Sequence, residues 1–249
     1  MGSGLLGSIL GQMLGGMLRR GSAARQGGAF GGFEEIFNQS TPGAFDQTPI
    51  TLPPVYRASS PLPLFLTRGR LQMSLMDEAT GEPLGGMDEV GTNILAHRAD
   101  GHAAVKAHRT YKIPTSSHAV ADVIKFTTSS KGREVLLATA EEHPVFNVYL
   151  LRFLNNIHTR FVISDEGGSP VLLATRWQLP FTSWFTLRNA KQELVATARM
   201  RFSPFPALRT AWDFVVDTKA FRINSSILPL LAGFATIDKR KGYLHTKGH

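Results

Sequence analysis

Three histidines, His97, His102 and His108, are the first residues in this chain whose types and proximity could do chemistry, as metal ligands. Their offsets of five and six residues do not put three imidazoles on one helical face. A shared strand face needs even offsets. Asp100 is the only carboxylate among them, so the expectation is surface or half-buried histidines and no metal. A carboxylate pair for acid–base work would have to come from Asp165, Glu166, Asp213 or Asp217. Asp165 and Glu166 fall in DEGGS, where an Asp is already accounted for by turn chemistry. Serines are present without a Gly-x-Ser-x-Gly elbow, and neither a phosphate loop nor a dinucleotide fingerprint occurs. Gly85-Gly86 and Gly167-Gly168 read as turns. The chain has no cysteine, which excludes thiol nucleophiles, disulfides and thiolate-bound metals. The expectation is a protein that is not an enzyme and carries no cofactor.

The net charge is +8 over 249 residues, which favours an acidic partner. Its carriers are dispersed; Arg68, Arg70, Arg98, Arg109, Arg176, Arg199 and Arg201 form no run, and only Lys239-Arg240-Lys241 clusters. Phe181, Trp184 and Phe185 near Arg188 could stack nucleic-acid bases. The same aromatics serve more simply as core, so anionic lipid is the expected acidic partner and nucleic acid is not.

The elements that must position these groups begin with an unusual N-terminus. Leu5, Leu6, Ile9, Leu10, Met13, Leu14, Met17 and Leu18 recur at helical spacing, followed by Arg19 and Arg20. Gly4, Gly7, Gly11 and Gly15 line another face, a small-residue pattern that lets helices approach closely. In water each glycine weakens a helix by about 1 kcal/mol. The apolar stretch is shorter than the ~20 residues that span a bilayer. It lacks a basic leader, and Leu6 stands where myristoylation needs Ser or Thr. Three readings stay open for residues 1–20: a flexible or self-associating tail, an interfacial helix, or a transit peptide. The first two place the protein in the cytoplasm, with peripheral membrane association; the third places it in an organelle.

Residues 21–63 are rich in Gly, Pro, Ser and Thr and read as a linker, including TLPPVY and SSPLPL. Residues 64–249 read as one β domain. Leu64–Leu66, Leu71–Met76, Ala103–Ala107 and Tyr111–Ile113 look like strands, with Asp77–Gly81 a turn. A plan then repeats. FTTSSKGREVLLAT starts at Phe126, FVISDEGGSPVLLAT at Phe161 and FTLRNAKQELVAT at Phe185. Each is an aromatic-led strand, a polar turn and an apolar strand ending in Ala-Thr, which is the signature of a β-hairpin. One segment breaks the pattern. HPVFNVYLLRFLNNIH, residues 143–158, is apolar nearly all round and has Pro144 at its start. It reads as a buried helix or a very buried strand, and Phe146, Leu150, Phe153 and Leu154 are the expected residues of a central helix. Trp212-Phe214-Val216 alternates as a further strand; Ile227–Phe234 is a last apolar run containing Pro229, and the basic tail after Ile237 reads as exposed.

The hairpins Phe161–Thr175 and Phe185–Phe202 and the Trp212–Val216 strand resemble the tubby C-terminal-like superfamily, in its phospholipid scramblase and LURP-one-related branches. The resemblance implies a closed β-barrel around a hydrophobic helix and association with lipid. In those families the helix is C-terminal, whereas the apolar segment singled out here is 143–158. The cysteine cluster and acidic calcium loop of scramblases have no counterpart, so neither calcium dependence nor lipid translocation carries over. The expected fold is a mainly β antiparallel barrel or sandwich of repeated hairpins with one buried helix and an N-terminal extension. The expected function is non-enzymatic membrane or lipid association. The alternative is a scaffold subunit whose Gly/Pro-rich arm binds a protein partner or a second copy.

Overall fold

Alternation of inward apolar and outward polar residues runs through twelve antiparallel strands in the computed structural model. They are β1 (Val55–Ser59), β2 (Gln72–Asp77), β3 (Pro83–Val90), β4 (Asn93–Arg98), β5 (Ala103–Lys112), β6 (Ala121–Ser130), β7 (Arg133–His143), β8 (His158–Asp165), β9 (Pro170–Gln178), β10 (Ser183–Asn189), β11 (Leu194–Met200) and β12 (Ala211–Val216), followed by helix α1 (Ile227–His245). The structure describes residues 50, 52–60, 70–112, 121–130, 133–143, 157–179, 182–201, 210–221 and 223–245. The expectations for residues 1–20, for strand Leu64–Leu66, and for Phe146, Leu150, Phe153 and Leu154 lie outside the described residues.

Each strand pairs with its successor, and β12 returns to pair with β1, so the sheet closes as a barrel. Closure leaves none of these twelve described strands at a sheet edge. The boundary of the linker needs correcting. Residues 55–59 form β1, which pairs with both β12 and β2, and Ile50 and Leu52 are buried. The Ser225 hydroxyl donates to the Ile50 carbonyl at 3.1 Å. The segment is proline-flanked, yet Tyr56 and Ala58 point inward, and these residues complete the ring. Gly85 and Gly86 also differ from expectation: they lie inside β3, not in a turn. A Cβ on Gly86 would stand 2.5 Å from the His97 ring, so glycine there makes room for that imidazole. Gly168 does sit in a turn at φ +80°, where the Asp165 carboxylate accepts the Ser169 N–H at 2.8 Å.

The three repeated segments are the hairpins β6–β7, β8–β9 and β10–β11. Their shared ending has a steric cause. Phe126 faces Ala138, Phe161 faces Ala174, and Phe185 faces Ala198, all inside the barrel. In the third hairpin the Ala-Thr ending is Ala196-Thr197, with Ala196 opposite the buried Leu187. Thr139, Thr175 and Thr197 all point outward, where a β-branched residue suits the pleat. Alanine also lines the lumen at 58, 96, 107, 140 and 196. A helix with its side chains is ~10–12 Å across, so the wall around it must be thin.

Helix α1 occupies that lumen. From Ile227 to Ile237 every residue is buried. A helix apolar on all sides is stable only when enclosed. Burial of each Leu, Ile or Phe side chain contributes about 2 kcal/mol. Asn224 starts the helix by accepting the Ser226 N–H at 3.0 Å. Pro229 fits because it lies in the first turn, where backbone N–H groups have no helical partner. Gly233 lets the helix approach the wall, since a Cβ there would lie 3.0 Å from Ile94 and Leu71. The Trp212 indole N–H donates to Thr236 Oγ1 at 3.0 Å, and that hydroxyl donates to the Ala232 carbonyl. Inside, Tyr56 stacks on Phe214 at 4.7 Å, and Trp212 packs against Phe185 and Phe214. The buried helix is therefore the C-terminal run. The segment after Ile237, expected to be an exposed tail, continues the helix to His245, with Asp238 and Lys239 half-buried.

Candidate functional site

A cluster of charged groups lies at the end of the barrel where α1 leaves it. The same strand faces that supply Ala107, Ile124, Ala140 and Ala174 deeper inside supply Arg109, Asp122, Glu142 and Arg176 near the rim. Asp238, arriving on α1, accepts from Arg109 Nη1 at 2.6 Å and from Arg176 Nη1 at 3.1 Å. Arg109 Nε lies 3.6 Å from Asp122, and Arg176 Nη2 donates to Thr159 at 3.2 Å. The Arg109 guanidinium covers the Phe234 ring at 4.4 Å, and that of Arg176 lies 5.6 Å from the Phe161 centroid.

Burial and charge compete at each of these groups. Burial acts to lower the Arg109 pKa, but the Asp238 carboxylate, then Asp122, outweigh it and hold the guanidinium above its ordinary value. Burial pushes the Glu142 carboxyl up, against the Asp122 N–H that bonds it; the Asp122 carboxylate adds to the rise. Burial brings the Lys239 ammonium down to about 8, and its Nζ lies 3.4 Å from the Met200 sulfur. These groups pair chiefly with one another. Chemically, the cluster is a seal between helix and wall.

The outside of the same end has a different character. One outward row crosses five strands through direct neighbours: His158, Trp177, Trp184, Arg199 and Asp213. The His158 ring lies 4.2 Å from Trp177, and Trp177 stacks on Trp184 at 5.9 Å. Trp177 is 37% exposed and Leu179, beyond it, 38%. Burial, then the nearby Arg160 charge, lowers the His158 pKa to about 4, so this imidazole is neutral at pH 7. Asp213 accepts from Arg57 at 3.1 Å and from Arg201 at 2.8 Å, and Arg57 also pairs with Glu78.

The residues singled out in the sequence do not converge. His97 pairs with Asp88 at 3.0 Å, and His108 Nδ1 lies 2.6 Å from Asn93 Oδ1. Among the described residues no group of three or more His, Asp or Glu side chains is placed to hold a metal. Asp165 and Asp217 organise turns at the barrel end away from Asp238, Glu166 is exposed, and Asp213 is in the outer ion-pair row. Phe185 is core and Trp184 faces out; Arg188 sits toward the other end of β10, donating to the Gln192 carbonyl at 2.6 Å, and Phe181 is outside the described residues. Sequence reasoning passed over Arg109, Arg176, Asp238, His158 and Trp177. One signal was available for the last. Trp177 and Trp184 are equidistant from the centre of a hairpin in which Leu179 N–H donates to the Thr182 carbonyl, so they are cross-strand neighbours.

Compared with protein-family models, with curated proteins and with solved structures, the chain matches none of them. No helix among the described residues is long and apolar enough to cross a membrane.

Proposed function

We propose that this protein is a non-enzymatic, lipid-associated binding protein of the tubby and scramblase-like kind, acting through the outside of its barrel. The observation that carries this reading is the filled lumen. Helix α1 occupies the interior, and the Arg109–Asp238–Arg176 cluster closes its mouth, so a partner meets the outer wall and the rim. The chain has a surplus of eight positive charges, which favours an anionic surface. The barrel with its C-terminal hydrophobic helix also agrees with the architecture that the resemblance implies. In this reading the apolar residues Leu5 to Leu18, with Arg19 and Arg20, add a second, shallow attachment.

Co-sedimentation with vesicles of phosphatidylcholine and phosphatidylserine tests the reading, using the full chain and a chain lacking residues 1–20. The expected result is binding by both, weakened by salt and weaker in the truncated form. Failure of both to bind at low and high salt alike would overturn it.

A further inference from the structure

We infer that the outward row His158–Trp177–Trp184–Arg199, with Leu179 and Arg160 beside it, is the surface by which the barrel enters the headgroup region of an anionic bilayer. The inference rests on the lipid reading above and assigns it a place and an orientation.

The neighbouring outward row has a different composition. It runs Arg160, Thr175, Thr186, Thr197, the threonines being ordinary half-exposed choices for a pleated surface. One step nearer the rim, the corresponding positions hold two indoles stacked side by side and a neutral imidazole. The interior does not need these rings. Ser183, Phe185, Arg176 and Thr159, which alternate with them, already face inward and are buried. A pair of tryptophans left half in water has the amphipathic shape that favours a membrane interface, with an apolar ring body and an N–H that stays hydrated.

Charge sits on both flanks of the rings. Arg199 is directly opposite Trp184 and exposed, and Arg160 is two residues from His158 on β8. No acidic side chain lies in the row between His158 and Arg199. The next residue of the row, Asp213, is engaged by Arg57 and Arg201. The aromatic part is narrow, three strands at ~4.8 Å spacing on a convex wall. A stable protein interface needs ~800 Å² per partner, so a bilayer, which can mould around a small convex strip, fits better. The row lies at the end where α1 emerges. Docking therefore turns that end toward the membrane.

The chain contains its own control. It has three tryptophans, and the third, Trp212, is fully buried against α1 and bonded to Thr236. The experiment uses the full chain with vesicles of phosphatidylcholine alone or mixed with phosphatidylserine, with and without brominated acyl chains. Two double variants, W177S/W184S and R160Q/R199Q, are compared with the unaltered chain by co-sedimentation and by bromolipid quenching of tryptophan emission. The unaltered chain should be quenched. W177S/W184S should keep the blue emission of Trp212, lose the quenching, and bind about tenfold more weakly. R160Q/R199Q should lose about fivefold per arginine on phosphatidylserine and much of its salt dependence. Binding by W177S/W184S equal to that of the unaltered chain would overturn the assignment of this surface and leave the lipid reading standing. Quenching of Trp212 in that variant would also overturn it, since the barrel itself would then have to open. Absence of binding by the unaltered chain would overturn the lipid reading and the inference with it.

Discussion

Arg109 on β5 donates to Asp238 on α1 at 2.6 Å, joining residues 129 positions apart at the point where the helix leaves the barrel. Arg176 on β9 takes the other carboxylate oxygen at 3.1 Å. One acidic side chain thus ties the helix to two strands that lie four places apart around the barrel. Arg109 Nη2 and Arg176 Nε are buried without a hydrogen-bond acceptor, so Asp238 supplies much of the compensation for burying both guanidinium groups.

Replacing Asp238 with Ala should therefore be costly beyond the loss of one contact. It leaves two buried cations without their shared counter-charge, and breaking a buried pair in this way costs about 3 kcal/mol or more. Denaturant unfolding should show the midpoint falling with little change in slope. A midpoint within error of the unaltered protein would refute the role assigned to Asp238.

Gly233 tests whether the helix is pressed against the wall. A Cβ there meets Ile94 and Leu71 at 3.0 Å. Alanine gains about 1 kcal/mol of helix propensity and loses a similar amount to crowding, so Gly233→Ala should be near neutral. Gly233→Leu has no such space and should destabilise by about 1–3 kcal/mol. Thermal unfolding of the two variants side by side decides the point.

The Ala-Thr endings make a paired prediction. Ala174 lies in the lumen opposite Phe161 with no exposure, and Thr175 faces out. Ala174→Leu should cost about 1–3 kcal/mol by overfilling the space around α1. Thr175→Val should stay within about 0.5 kcal/mol. Equal effects at the two positions would contradict the inward and outward assignment.

His158 should make stability fall in mild acid. Its pKa is lowered from 6.5 to about 4 by burial, then by Arg160. The unfolded chain takes up this proton near pH 6.5, while the folded chain resists until about 4. The contribution is thus fully present above pH 6.5 and is lost as pH falls through the folded value. Glu142 acts with the opposite sign, because burial raises its pKa: folding is favoured below its ordinary value, and that advantage is lost as pH rises through the folded value. His158→Phe should flatten the decline in melting temperature between pH 6.5 and 4. An unchanged decline would show that other groups carry it.

Local pattern was enough for the hairpins. Alternation marked β6 through β12, and DEGGS and RNAKQE marked turns, because inward and outward faces and turn conformations depend on residues close in sequence. The Ala-Thr endings were visible as a repeat, although their steric cause was not. The limits of the pattern show at β1, where flanking prolines hid a strand whose partners are β2 and the distant β12. They show again at Ile227–Ile237. Read alone, an apolar run with a proline and a basic continuation gave no indication of a helix, because neither its first-turn cap nor its enclosure is encoded by periodicity.

By itself, then, the sequence determined the repeated hairpins, part of the remaining strands and the absence of cysteine chemistry, through interactions spanning a few residues. Only the tertiary structure decided that the sheet closes on itself, that the C-terminal helix fills it, and that Arg109, Arg176 and Asp238 meet. It likewise decided that Trp177 and Trp184 stand outside while Trp212 stands inside. The reason is physical: barrel closure and helix enclosure are set by which distant surfaces exclude water together, and a residue's inward or outward fate follows from that partner, not from its neighbours in the chain.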